Sequence, residues 1–252
     1  MTFDEIINAI KVEPYYLDKE YGQAIYCSDC REVLPYIPDK SIDLVLTDPP
    51  YGINWQSNTR LDTFEKMRGD DCVSGDWIDL CHTDILYCFS RWDVLQEWIN
   101  LIQNTGLTVR NVLVWDKLAY GSGDLNSYAP TYELIIYATK DRVKLLGKRP
   151  SNILRHWRVD GGATGLSSGK LLIHPAQKPD ELFSDILSHH NSNTILDPFL
   201  GSGTTLVCAK KLGRKAIGIE IEEKYCHIAK NRLAQSVMRL EEYEEKQNFA
   251  TQ

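Results

Sequence analysis

Twice in this chain a short apolar run stops on Asp-Pro. Residues 42–47 lead into Asp48-Pro49-Pro50-Tyr51, and Thr194-Ile195-Leu196 leads into Asp197-Pro198-Phe199. A short, nearly unbroken apolar run reads as a strand buried on both faces, and proline, with a fixed φ and no N–H, ends it. Such strands belong to parallel sheets covered by helices. Further runs lie at 24–27, 84–89, 112–115, 133–138 and 216–219, and helical spacing at 4–11, 92–104, 180–189, 204–212 and 222–245. In the last, Tyr225, Ile228, Ala229, Leu233, Val237 and Leu240 recur at steps of three and four. The alternation predicts an α/β fold with a largely parallel sheet. With 252 residues, 43% of them hydrophobic, the chain suits one domain over 1–252. Six Trp, thirteen Tyr and six Phe exclude a disordered chain.

No run approaches the roughly twenty apolar residues that span a bilayer. Met1-Thr2-Phe3-Asp4-Glu5 lacks the basic start of a signal peptide. The expectation is therefore a cytoplasmic protein without a membrane partner, its seven cysteines reduced. Cys27-Ser28-Asp29-Cys30 has no second pair and no spaced histidines, so it reads as two strand-end thiols and no metal is expected. His189-His190 at a helix end is explained by the helix dipole.

The net charge of −7 disfavours nucleic acid only on average. Residues 1–48 carry ten acids and four bases, whereas 140–178 carry nine bases and two acids. A local basic stretch of that size suits phosphate contacts, and it equally suits a solvated loop. Residues 52–75 are patternless, and 147–170 hold five glycines and Pro150. Long loops of this kind are usually functional or disordered.

Asp48, the Pro49 carbonyl and Tyr51 form a rigid turn with two acceptors and a stacking face, which suits a planar ring bearing an exocyclic amine. The position, at the carboxyl end of a strand, is where α/β sheets bind ligands. In the second motif, Gly201-Ser202-Gly203 lets backbone approach a ligand closely, and Glu220 about twenty residues on is placed to bond ribose hydroxyls. No Gly-Lys-Ser/Thr follows, so this is not a P-loop.

Together, Asp48-Pro49-Pro50-Tyr51 and Asp197-Pro198-Phe199-Leu200-Gly201-Ser202-Gly203-Thr204 resemble the S-adenosylmethionine-dependent amino-methyltransferases of DNA. The early D-P-P-Y and late glycine motif resemble the β group, a circular permutation of the fold. His174-Pro175-Ala176-Gln177-Lys178-Pro179 and Tyr26-Cys27-Ser28-Asp29-Cys30 resemble two further motifs of that group. The resemblance implies a Rossmann-like methyltransferase fold with a mostly parallel seven-stranded sheet, in which Asp48 and Asp197 end adjacent strands. It implies S-adenosylmethionine as cofactor, with Asp197, Pro198, Phe199, Gly201, Ser202, Gly203, Thr204 and Thr205 around the methionine half. Glu220 would hold the ribose, Asp29 and Cys30 would face the adenine, and Gln177 and Lys178 would reach the carboxylate; Lys178 is alternatively a phosphate contact.

The same resemblance implies methyl transfer to a flipped base held by Asp48, Pro49, Pro50 and Tyr51. Asp rather than Ser before Pro-Pro-Tyr points to adenine N6 over cytosine N4. Residues 141–173 take the place of the target-recognition region, with Arg149, Arg155, His156 and Arg158 as DNA contacts. The loop 52–75, with Arg60 and Lys66, would close over the base. Trp115-Asp116-Lys117 and Glu133 are read as scaffold. Double-stranded DNA is the implied partner, with a homodimer and a cognate restriction endonuclease as further expectations. The alternatives are a cytosine-N4 enzyme and a catalytically idle DNA-binding module.

Overall fold

The computed structural model describes residues 1–52, 58–59, 62–63, 73–119, 126, 128–159 and 177–235. The helices are α1 (Phe3–Ala9), α2 (Cys30–Val33), α3 (Asp76–Leu80), α4 (Leu95–Asn104), α5 (Asp180–Ser188), α6 (Thr204–Lys211) and α7 (223–235). The strands are β1 (Tyr16–Asp18), β2 (Gln23–Cys27), β3 (Leu44–Thr47), β4 (Asn58–Thr59), β5 (Asp62–Thr63), β6 (Ile85–Ser90), β7 (Thr108–Asp116), β8 (Tyr132–Thr139), β9 (Ile153–Arg155), β10 (Thr194–Asp197) and β11 (Lys215–Glu220). Strands β4 and β5 form a separate antiparallel pair.

The main sheet has the order β1-β2-β11-β10-β3-β6-β8-β7-β9. Its seven central strands are the seven read from the sequence; nine strands replace the expected seven because β1 and β9 add to the two edges. Both additions are three residues long and neither is an apolar run, so no periodic signal announces them. From β2 to β6 all neighbours are parallel, while β8 runs antiparallel to both β6 and β7. Reversal of β8 brings its first residues to the edge of the sheet where the parallel strands end.

Alternation along the strands divides the core between two faces. Val45, Leu86, Cys88, Leu196, Ile217 and Ile219 meet α1 to α4, including Trp77 and Trp98. Leu44, Leu46, Tyr87, Phe89, Ile195 and Ala216 meet α5, α6 and α7. Both β3 and β6 are buried along their whole length, as strands covered on both faces must be. In α7, Ala229 and Leu233 of the face read there are fully buried and Tyr225 and Ile228 half-buried, with Cys226 buried beside them; the expected continuation to 245 lies outside the described residues beyond 235.

Strand β10 pairs β11 on one side and β3 on the other. The chain leaves β10 through α6 toward β11, and leaves β3 toward β6. A crevice opens outside the strand ends where such connections diverge. Asp197 and Asp48 flank that point.

Candidate active site

Register brings the two Asp-Pro motifs together. Leu196 faces Val45 across the β10–β3 ladder, and one step further Thr47 Oγ1 donates to Asp197 Oδ1 at 2.7 Å. Thr205 Oγ1 donates to the other carboxylate oxygen, and the Phe199 N–H donates to Oδ1 at 3.2 Å. Burial pushes the Asp197 carboxyl up to about 7, in spite of these donors. Asp197 thus ties β3, the turn after β10 and the first turn of α6 into one unit.

The turn itself is held from three sides. Gly201 and Gly203 take φ of 53° and 86°, in the left-handed region that glycine occupies without a Cβ penalty. A Cβ on Gly203 would also lie 2.7 Å from that of Ala229 on α7. Glu220 at the end of β11 accepts the Gly201 N–H at 2.8 Å and the Glu222 N–H at 2.9 Å, and burial raises its pKa. Arg232 on α7 donates to the Ser202 carbonyl at 2.8 Å, to Thr204 Oγ1 at 3.0 Å, and to Asp180 Oδ1 at 2.8 Å. Pro198 is buried, and Phe199 packs edge-on against Trp77 with centroids 5.3 Å apart.

On the other side of the switch point, Tyr51 donates its hydroxyl to Asp48 Oδ1 at 2.5 Å. Lys178 Nζ lies 2.6 Å from Asp48 Oδ2 and 2.9 Å from Glu133 Oε2, while Lys117 Nζ lies 2.7 Å from Glu133 Oε1. Burial raises the Asp48 carboxyl even with Lys178 beside it. For Glu133 burial acts the same way, but Lys178 and Lys117 outweigh it and hold that carboxyl low. Lys178 is correspondingly held protonated by Asp48 and Glu133 against the effect of burial. Pro49 is buried beneath the turn, with Pro50 half-buried beside Tyr51.

Glu133 and Lys117, taken as scaffold from the sequence, are therefore part of this charged cluster. The available signal was a lone acid at the head of the apolar run 133–138, since an acid buried there needs a cation. Thr47 and Arg232 carried no comparable sign. Lys178 is engaged by the two carboxylates, and Gln177 beside it is buried.

Asp29 follows β2 next to Glu220: the Ser28 N–H donates to the Glu220 carbonyl at 3.1 Å. Its carboxylate caps α2 and pairs with Arg31 through Nε at 2.9 Å and Nη2 at 2.6 Å. Cys30 is buried, and its thiol is pushed up to about 12 by that burial.

The four described residues among those read as DNA contacts, Arg149, Arg155, His156 and Arg158, do not form one cluster. Arg155 is exposed at the end of β9, its Nε 3.5 Å from Asp116. His156 turns inward to Asp185 on α5 at 3.0 Å, and Arg158 is half-buried. Arg149 instead lines a cavity of about 400 Å³ with Arg110, Tyr87, Tyr137 and His189. Arg60 and Lys66, with most of 52–75, lie outside the described residues, as do 160–173 and His174 to Ala176. The dipole account of the histidine pair fits only in part. His190 is buried, contacts Tyr87 Oη at 2.8 Å and is pushed down to about 4 by burial, so it is a neutral core residue at pH 7.

Among the described residues no helix is long and apolar enough to cross a membrane. A family model described as DNA methylase matches residues 42–231. The Type II methyltransferase M.HpaI of Haemophilus parainfluenzae is 27% identical over 239 residues, spanning 84% of this chain and 74% of that protein. M2.LlaDCHI of Lactococcus lactis subsp. cremoris is 28% identical over 261 residues, spanning 89% and 93%. The structure of M1.HpyAVI in complex with SAM superposes with a TM-score of 0.62 at 25% identity, covering 84% of this chain and all of that one. The cytosine-N4-specific PvuII DNA methyltransferase shares the fold, with a TM-score of 0.65 at 18% identity over 88% of this chain and 89% of that one. The match over 42–231, which contains both Asp-Pro motifs and the crevice between them, places this chain in the N6/N4 DNA methylase family.

Proposed function

We propose that the protein methylates the exocyclic N6 of adenine in double-stranded DNA, with the target base flipped into the crevice beside Asp48. Juxtaposition of the D-P-P-Y turn and the glycine turn across β3 and β10 carries this reading. The methyl donor is S-adenosylmethionine, in keeping with the SAM complex of the related M1.HpyAVI. The residues fit it. Glu220, at the end of β11 beside the glycine turn, is held by backbone N–H groups that include those of Gly201 and Glu222, and its carboxylate would accept ribose hydroxyls.

When bound, S-adenosylmethionine would supply a sulfonium methyl that accepts a nitrogen lone pair and leaves a thioether, the amine releasing one proton to solvent. An aromatic amine is a weak nucleophile because its lone pair is delocalised into the ring. Asp48 and the Pro49 carbonyl would accept its two N–H groups and turn the lone pair out of the ring plane, so orientation and fixed charges carry the catalysis. Tyr51 would stack on the base while its hydroxyl braces Asp48. Pro50 fixes the turn between them. Asp29 and Cys30 close the adenosine end, next to Glu220. Asp48 in place of Ser favours adenine; cytosine N4 is the second reading, since both amines present the same N–H pair. The basic residues at the β9 end, Arg155 foremost, are assigned to phosphate or base contacts, with 141–173 as the recognition region. The Type II relatives support a cognate endonuclease as partner.

Incubation with unmethylated genomic DNA and labelled donor, followed by nucleoside mass spectrometry, tests the reading. N6-methyladenine is expected, and N4-methylcytosine would overturn the base assignment. Asp48→Ala is expected to abolish transfer while donor binding, measured calorimetrically, stays within a few-fold. Loss of both together would remove the role given to Asp48.

A further inference from the structure

Lys178 is a cation buried between two carboxylates, with about a tenth of its side chain exposed. An ammonium in such a place is costly unless its partners are ionised, and each partner is costly without it. The groups facing Asp48 come from five parts of the fold. Tyr51 stands in its own turn, Lys178 precedes α5, Glu133 is the second residue of β8, the Cys88 thiol lies on β6 and the Asp197 carboxyl ends β10. Lys117, after β7, reaches the cluster through Glu133. Among these described neighbours Lys178 is the cation in direct contact with Asp48; the second, Lys117, contacts Glu133.

We propose that Lys178 and Glu133 are positioning residues for methyl transfer: Lys178 holds Asp48 as an anion, turned so that Oδ2 is engaged and Oδ1 faces Tyr51, and Glu133 anchors Lys178 there. This rests on the assignment of Asp48 as acceptor of the target amine. An ionised carboxylate accepts an N–H strongly, whereas a protonated one presents a donor on one oxygen. Burial works toward protonation, and Lys178 works against it. Without Lys178, Asp48 and Glu133 become two carboxylates in one site, sharing the remaining charge of Lys117. Like charges in such proximity push one pKa strongly upward. Lys178 is in this way diverted from the donor carboxylate, the role that the sequence motif suggests for it.

The test is the pH dependence of single-turnover methylation of unmethylated genomic DNA with labelled S-adenosylmethionine. The rate rises with pH as Asp48 ionises. Lys178→Met is expected to move that rise to higher pH by about one unit or more, so the loss of rate is largest at low pH and shrinks as pH rises. Glu133→Gln alone is expected to move it the other way, because it removes the competing anion and leaves Lys178 to Asp48. Adding Glu133→Gln to Lys178→Met is expected to reverse part of the alkaline shift. Lys178→Arg, which keeps the charge, should keep the wild-type midpoint and serves if Lys178→Met does not fold. A loss in Lys178→Met that is equal at every pH and unrelieved by Glu133→Gln would overturn the inference, as would an unshifted Glu133→Gln. An Asp48→Ala protein that still methylates would remove the underlying reading and this inference with it. An inactive Asp48→Ala beside unshifted Lys178 and Glu133 variants would remove the inference alone.

Discussion

Asp197 has almost no solvent exposure and spends its lone pairs on Thr47, Thr205 and the Phe199 amide. Its carboxyl is pushed from the ordinary 3.8 up to about 7, burial being the main cause. A carboxyl whose folded pKa is raised binds a proton more tightly in the folded state. Its contribution to stability is therefore complete below pH 3.8 and is lost as pH rises through about 7. Asp197→Asn, which keeps the shape and cannot ionise, is expected to flatten the fall in melting temperature across that window. Calorimetric melts of both proteins from pH 4 to 8 check this, and parallel curves would contradict it. Identity and position of Asp197 are plain in the sequence. Its partner Thr47 lies 150 residues away and is joined to it by strand pairing alone.

At the scale of elements, α7 locks the glycine turn. Ala229 leaves no room for a side chain at residue 203, and one turn on, Arg232 reaches Ser202, Thr204 and Asp180 together. Each hydrogen bond from a charged donor is worth about 1.5–3 kcal/mol, and its buried acceptor loses its partner when the donor is removed. Arg232→Ala is expected to lower stability by about 2 kcal/mol or more and to weaken donor binding at least several-fold, as the turn loosens. Urea titration and calorimetry check the two effects; normal donor affinity in a destabilised protein would restrict Arg232 to a structural role. Periodicity located α7 from its apolar face. It was silent on Arg232, which lies between Ala229 and Leu233 and reads as one more helical arginine.

For the whole molecule, the reversed strand β8 and the added edge strand β9 shape the rim of the crevice. They bring Glu133 beside Lys178 and set exposed Arg155 and Trp157 at the carboxyl ends of the strands. Arg149, also exposed, lines the cavity with Arg110 instead. If the rim meets DNA, Arg155→Ala should reduce the slope of log affinity against log salt by about 0.9, the release from one phosphate. Arg149→Ala should change it less. Equal effects, measured by anisotropy on a labelled duplex between low and moderate salt, would argue against this division.

Some of this protein was fixed by local chemistry. The runs that end in Asp48-Pro49 and Asp197-Pro198 define buried parallel strands, because apolar residues facing both ways leave no other place for a strand and proline permits no continuation. Gly201 and Gly203 mark the turn that needs left-handed backbone. Short-range signals of this kind survive in any tertiary setting. The edge strands, the ion pairs of Lys178 and the inward turn of His156 depend on which distant segments become neighbours. Sheet order and the reversal of β8 decide that. A lysine in sequence is a charge with three donors, and only packing determined that this one would be closed between Asp48 and Glu133.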